Sequence, residues 1–479
     1  MKSKQNDLNM TYIWMISLTA ACGGFLFGYD WVVIGGAKPF YEAFFAVSDP
    51  SVSGWLMGSA LIGCIFGAIL SGKISDTFGR KKALLLSAVL FVISAAATAW
   101  ADNVDVFVWA RIIGGVGIGI ASTVSPMYIS ELSPPEKRGQ LVSINQLTIV
   151  IGVLAAQLIN LVIAEPNSAA ATQAQLMHTW NGQIGWRYMF AAELVPAMLF
   201  LILAILIPES PRWLTQKARF TEAREVLAKI GSSSYTSKVL TELKANLSVK
   251  HGSGFEDLLS LKPVLIIGIV LAAFQQWCGI NVVFNYAQEI FTSAGFDIDD
   301  TLKSIVATGS VNLIFTLLAL PLVDRLGRRK LMLFGSIGLT IIYALIALAY
   351  QTGTLGLPVL LLVLCAIAIY AMTLAPVTWV LLAELFPNRV RGVAMAIGTF
   401  TLWFASFVLT YTFPLINHTF EAQGSFLIYG IICLLGFIFI WRKVPETKQL
   451  SLEEIELKLN ITAPVEPKSL QQSANEKQG

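Results

Sequence analysis

Gly72-Lys-Ile-Ser-Asp76-Thr-Phe-Gly79-Arg80-Lys81 and Asp324-Arg-Leu-Gly327-Arg328-Arg329 are the two stretches that decide the fold. Each follows a long apolar run, and the second copy stands 248 residues after the first. A second pair keeps nearly the same displacement. Glu131-Leu-Ser-Pro134, ending in Arg138-Gly139, recurs 253 residues later as Glu384-Leu-Phe-Pro387, ending in Arg391-Gly392. Glu precedes Arg by seven residues in both copies. The chain is therefore two parallel halves, each with a D-x-x-G-R turn and an E-x6-R-G turn in corresponding loops. Parallel repeats of this kind suit alternating access, in which one bundle rocks against the other. A channel needs no such duplicated turns.

Composition says what surrounds those turns. Of 479 residues 55% are hydrophobic and only 13% charged, and mean hydropathy is +0.68. Soluble domains carry roughly 25% charged residues. At about 20 residues per membrane crossing, the apolar material suffices for around a dozen helices. A secreted disulfide scaffold, a disordered chain and a nucleic-acid binder are excluded, and a net charge of +3 implies no acidic partner. Cys22, Cys64, Cys278, Cys365 and Cys433 lie in apolar stretches without paired spacing and read as small buried hydrophobes. His178, His251 and His418 are far apart in sequence, so no zinc site is expected.

Twelve apolar runs lie near 11–36, 52–73, 83–101, 106–130, 141–164, 187–207, 264–292, 303–323, 331–350, 358–383, 393–416 and 425–441. Lys2 and Lys4 before the first run suggest a signal peptide, but eleven further runs and the lack of an A-x-A site argue against cleavage. With both termini on one side, 29 of the 33 basic residues fall there, all except Lys38, Arg111, Arg187 and Lys303. The excess of basic residues on cytoplasmic loops makes that side the cytoplasm. The expected fold class is an all-α membrane protein with twelve transmembrane helices in two pseudo-symmetric six-helix bundles. Its parts are an N-terminal bundle (1–207), a cytoplasmic connector with short helices (208–262), a C-terminal bundle (263–442) and a cytoplasmic tail (443–479).

Three further motifs join the turns: Pro208-Glu209-Ser210-Pro211-Arg212-Trp213-Leu214, Gln275-Gln276-x-x-Gly279-Ile280-Asn281, and Pro445-Glu446-Thr447-Lys448. As a set, over residues 10–450, they resemble the major facilitator superfamily and, within it, the sugar porter family. Gly28-Tyr29-Asp30, Arg111-Ile-Ile-Gly-Gly115 and Ser125-Pro126-Met127-Tyr128 most resemble segments of its bacterial proton-coupled xylose symporters. The resemblance implies the major facilitator fold and transport of a sugar with a proton.

Asp30 sits in the first apolar run, where a carboxylate costs about 2.5–3.5 kcal/mol on insertion scales. Arg111, at the start of the fourth run, is its natural cation, and the resemblance pairs the two. An acid held between desolvation and a nearby cation can load a proton outside and release it inside. The competing reading is a static ion pair that only orients helices. Glu193 in the sixth run is a second buried acid, placed either to tune Arg111 or to meet a polar neighbour.

A neutral polyol calls for side chains that both donate and accept, which are amides. Those in apolar runs are Gln146, Gln275, Gln276, Asn281 and Asn312. Trp379 and Trp403 offer apolar faces, and all seven match positions that line the sugar pocket in the family. Phe27 and Tyr286 read equally as pocket walls or as core, while for the amides the sugar site is preferred over the competing reading of interhelical glue. Gln275 and Asn281 stand about 120° apart on an ideal helix. Facing one ligand then requires the helix to unwind, which Gly279 permits. The xylose-symporter pattern is broken at Val153, Asn285 and Leu402, which leaves pentose or hexose open.

Asp76, Arg80, Glu131, Arg138, Asp324, Arg328, Glu384 and Arg391 are expected to form a cytoplasmic latch. The resemblance implies that these groups pair across the halves when the protein faces outward and separate when it faces inward. Positive-inside topology explains the arginines but not the acids at matched spacing. No nucleophile–base set, metal cluster or phosphate loop points to an enzyme, and no cofactor is expected beyond the proton as coupling ion. Gly114, Gly115, Gly117 and Gly119 in the fourth run read as close helix packing rather than a nucleotide loop. The expected partners are a monosaccharide and the lipid bilayer, without nucleic acid. The expected setting is a monomer in the bacterial plasma (inner) membrane, crossing it many times, with both termini cytoplasmic. A facilitative uniporter in which Asp30 is structural is the first alternative. A porter-fold sugar sensor is the second, although such sensors need a longer cytoplasmic tail.

Overall fold

The computed structural model describes residues 8–134, 137–166, 173–247, 261–386 and 391–448. Six long helices build the first half: α1 (Met10–Phe44), α2 (Pro50–Phe78), α3 (Arg80–Ala99), α4 (Val104–Leu132), α5 (Arg138–Ile163) and α6 (Asn181–Leu206). Three short helices follow, α7 (Pro211–Gln216), α8 (Phe220–Ile230) and α9 (Ser233–Leu247). The second half opens with a broken span of α10 (Lys262–Trp277), α11 (Ile280–Asn285) and α12 (Ala287–Ser293). Then come α13 (Ile298–Leu326), α14 (Arg328–Thr352), a second broken span of α15 (Leu357–Met372) and α16 (Leu374–Leu385), and α17 (Arg391–Lys443). Glu421, at φ 56°, interrupts α17 and divides its 53 residues into two crossings. Twelve crossings result among the described residues, in the all-helical architecture expected of the sequence.

The helix ends follow from local chemistry. Asn9, Asp49, Asn103 and Asp297 each accept a backbone N–H of the first turn of α1, α2, α4 and α13, satisfying donors that have no partner within the helix. One glycine alone joins α2 to α3 and α13 to α14. Gly79 and Gly327 take φ values of 102° and 91°, a region in which side chains with a Cβ are strained. That is the physical content of the glycine in each D-x-x-G-R turn.

Two features depart from the apolar runs. Helix α1 continues to Phe44, well past position 36, through Lys38, Pro39 and Glu42. Those charges are tolerated because Lys38 bridges Glu42 at 2.9 Å and Glu289 of α12 at 2.5 Å. The sixth crossing starts early as well, with a π-helical turn at Asn181–Gly185.

Large apolar side chains on the outward faces, among them Phe66, Trp109, Val195 and Leu435, are exposed, as a lipid-facing surface requires. Inside the first half, glycines set how closely α2 and α4 approach. A Cβ on Gly115 would lie 1.8 Å from the Ala60 carbonyl oxygen, and one on Gly63 would lie 2.0 Å from that of Ile112. The glycines of the fourth run are packing residues.

The two halves meet at the face opposite the chain ends. Besides the Lys38–Glu289 bridge, Gln157 of α5 donates to Thr308 of α13 at 3.3 Å, and Gly54 of α2 lies against the Tyr411 carbonyl of α17. At the face carrying the D-x-x-G-R turns, the ion pairs of Arg80 with Asp76 and Glu131 and of Arg328 with Glu384 each lie within one half.

Gly115→Ala is expected to destabilise the protein by about 1–3 kcal/mol through overpacking. Gly72→Ala, where nothing lies within 4 Å, is expected to leave stability unchanged or raise it by up to about 1 kcal/mol. Thermal unfolding in detergent, followed by size-exclusion chromatography, distinguishes the two.

Candidate functional site

Midway along α1, Asp30 is buried to 1% exposure and Arg111 of α4 to 2%. The guanidinium holds the Asp30 carboxylate through Nη1 and the Asp30 carbonyl oxygen through Nη2, the latter at 3.0 Å. The Phe190 ring lies 5.6 Å beneath it. Gly114, one turn along α4, lets that helix approach α3, since a Cβ there would lie 2.3 Å from Ser94 Oγ; its distance to Asp30 Oδ2, 3.4 Å, would be an ordinary contact. Glu193 is equally buried at 1% and acts on both members of the pair. The guanidinium thus lies near two buried carboxyl groups, with its hydrogen bonds going to Asp30. The cluster is neutral with one proton bound and carries a net charge of −1 without it.

The amides of the broken span form a chain. Gln275 Nε2 donates to Tyr370 Oη at 2.6 Å, Gln276 Nε2 donates to Gln275 Oε1 at 2.5 Å, and Asn281 Nδ2 donates to Gln276 Oε1. An unbroken helix would point Gln275 and Asn281 apart. Gly279 at φ 88° separates α10 from α11 and turns them toward each other. Asn312 is buried on α13, whereas Gln146 on α5 and Trp379 on α16 are half-buried.

Trp403 of α17 meets Phe27 and Trp31 of α1 at ring distances of 5.6 and 5.7 Å, so this aromatic cluster spans the two halves. Its indole Nε1 is buried without a partner in the protein. Tyr286 is core: fully buried, it donates to the Thr410 carbonyl at 2.6 Å and packs on Phe413 at 4.6 Å. Val153, Asn285 and Leu402 are all buried.

The described turn residues pair within each half. Arg80 grips Glu131 through Nε and Nη2, both at 3.1 Å, and reaches Asp76 with Nη1 at 3.1 Å. In the second half Arg328 binds Glu384 at 2.9 Å. Arg138 is exposed and outside these clusters, while the side chains of Asp324 and Arg391 lie outside the described residues.

Both clusters are completed by the motifs that follow the last span of each half. Glu209 accepts the backbone N–H groups of Arg80 and Lys81 at 2.8 and 3.1 Å, and Glu446 accepts those of Arg328 and Arg329 at 2.9 and 3.2 Å. Each glutamate thereby caps the N-terminus of α3 or α14. The Cβ-free Gly79 and Gly327 make way for them, since a Cβ would lie 2.1 Å from Glu209 and 2.7 Å from Glu446. Ser210 and Thr447 then donate to Glu131 and Glu384, at 2.5 and 2.6 Å. Burial pushes the Glu209 carboxyl above its ordinary range, while the backbone donors pull it the other way.

The model of the family described as "Sugar (and other) transporter" matches residues 16–459. The D-xylose-proton symporter of Escherichia coli (strain K12) is 39% identical, over 94% of this chain and 96% of its own. The arabinose-proton symporter of Bacillus subtilis (strain 168) is 36% identical, over 94% and 95%. A solved structure titled as the partially occluded inward open conformation of the E. coli xylose transporter XylE superposes with a TM-score of 0.81, at 39% identity. It covers 92% of this chain and 100% of the other.

Sequence reading missed Trp31, Glu209, Ser210, Glu446 and Thr447 as members of these clusters. The last four carried a signal, because Pro-Glu-Ser and Pro-Glu-Thr follow the last span of each half. Glu209→Ala and Glu446→Ala, each removing a cap, are expected to cost about 0.5–2 kcal/mol apiece. With no shared partner between the halves, the losses are expected to add in the double variant. Melting temperatures of the three variants check both statements.

Proposed function

The chain belongs to the sugar transporter family, and from that membership we propose that it imports a monosaccharide together with a proton by alternating access. The observation that carries the coupling is the buried cluster of Asp30, Glu193 and Arg111. One proton separates its neutral and anionic forms, and the cost of a bare buried anion ties proton binding to rearrangement. Loading a proton on Asp30 removes the anion that holds Arg111 and frees α1 and α4 to shift. Carrying one charge through 100 mV is worth roughly 2.3 kcal/mol, enough for more than tenfold accumulation.

The amide chain of Gln275, Gln276 and Asn281, with Gln146 and Asn312, offers the donors and acceptors a neutral sugar requires. Trp379, Phe27 and Trp403 supply apolar faces for its C–H side, and the free Trp403 N–H is a donor for a hydroxyl. The two symporters named above, for xylose and arabinose, favour a pentose, while Val153, Asn285 and Leu402 alter the pocket and keep hexoses in the test. No cofactor is assigned, and a single chain contains every group used.

Positive-inside topology places the termini and the connector in the cytoplasm. The Lys38–Glu289 contact then closes the outer face, and the latch residues, paired within their own halves, leave the inner face open. This is an inward-facing state. Facing outward requires Arg80 and Arg328 to exchange these partners for groups of the opposite half.

Xylose, arabinose, glucose and galactose, added separately to lightly buffered, de-energised cells that make the protein, test the coupling. One sugar is expected to make the medium more alkaline. Asp30→Asn is expected to abolish that signal while exchange of labelled sugar persists. Sugar entry with no pH change in the wild type would leave a uniporter.

A further inference from the structure

Between the Asp30–Arg111 pair and the broken span of the second half lies a cavity with about 20 Å³ of room for the centre of a water. Eight of its nine lining residues, including Arg111, Trp31 and Cys64, belong to the first half. The ninth is Asn285, the last residue of α11. A space of this size holds about one water, which needs roughly two to four polar partners. Two are present and complementary. Arg111 Nε is a buried donor and Asn285 Oδ1 a buried acceptor, and neither has a partner within the protein.

The backbone around Asn285 is tied to α1. A Cβ on Gly35, just beyond Asp30 along that helix, would lie 3.0 Å from the carbonyl oxygens of both Phe284 and Asn285. Asn281 of the amide chain stands four residues before Asn285, one turn earlier on the same six-residue helix. The Gly279 break frees that helix from α10. One short rigid element therefore carries an amide of the proposed sugar site and an amide facing the ion pair.

We propose that Asn285 is the positioning residue that couples the two sites, through one water held between its Oδ1 and Arg111 Nε. The proposal rests on the proton-coupled reading above. When Asp30 takes a proton, Arg111 loses the carboxylate it is bonded to, and although Glu193 still balances the charge, the buried guanidinium needs another acceptor. The water and Asn285 supply it and draw α11, with Asn281, toward the first half. Protonation then reshapes the sugar site, and by linkage bound sugar raises the proton affinity of Asp30.

The other titratable groups acting on the pair are Glu193 of α6, Cys64 of α2 and Tyr41 of α1. Lys38, Glu42 and Glu289 form a separate cluster farther out. Asn285 is the one second-half residue lining the cavity, among the described residues.

The test is the rate of sugar uptake against external pH, measured in cells alongside sugar-driven alkalinisation. Asn285→Leu removes the acceptor, so Arg111 competes harder for Asp30. The half-maximal point is expected to move about one pH unit to the acid side, the weight of one hydrogen bond to a charged group. Asn285→Asp supplies an anion for Arg111 and is expected to move it to the alkaline side. Opposite shifts support the coupling role. Unshifted profiles in both variants, with only the maximal rate changed, overturn it and make Asn285 structural. If Asn285→Leu fails to reach the membrane, the direction of the Asn285→Asp shift decides alone. A wild type that takes up sugar without alkalinisation removes the proton-coupled reading and this proposal with it.

Discussion

A guanidinium and a carboxylate buried within two apolar helices can exist only as long as each satisfies the other. Arg111 and Asp30 meet that condition, and much of the first half is arranged around it. Gly114 lets α4 close against Ser94 of α3 beside the pair, and the Phe190 ring backs the guanidinium. Glu193 adds a second carboxyl, so the cluster stays neutral only with a proton aboard. Breaking such a pair by removing one partner costs roughly 3–5 kcal/mol. Any movement of the proton must therefore be met by movement of the helices or by a new acceptor. That constraint ties a chemical event inside one half to the relation between the halves.

The same logic of matched charge appears at the face carrying the chain ends, built twice. Arg80 with Glu131, Glu209 and Ser210 has its counterpart in Arg328 with Glu384, Glu446 and Thr447. Lys81 and Arg329 complete the match, each donating to a carbonyl at the end of the last helix of its half, Ile205 and Trp441. These contacts fasten the end of the final helix of each bundle to its third and fourth helices. Each half can then move as a body while the contacts at the opposite face, Lys38 with Glu289 and Gln157 with Thr308, are exchanged.

The architecture was legible because hydropathy and the duplicated turns depend on local pattern alone. The break at Gly279 was legible too, since amides about 120° apart on an ideal helix cannot share a ligand unless it unwinds. The extension of α1 to Phe44 was not. Lys38 and Glu42 look like the end of a membrane span, and only the fold shows Lys38 buried between Glu42 and Glu289, far away in sequence. Nothing in the local sequence singles out Trp31, and only the approach of α1 to α17 brings it against Trp403. The partnership of Glu209 with Glu446 was hidden by spacing. They stand 237 residues apart, against 248 and 253 for the other repeated motifs.

The central claim is that sugar and proton occupy linked sites, with the proton on Asp30. Infrared difference spectra of the purified protein in lipid, recorded on adding sugar at mildly alkaline pH, address it most directly. The account predicts that sugar brings up the band of a protonated carboxyl group and that Asp30→Asn lacks it while still binding sugar. Identical spectra from the two proteins would contradict it.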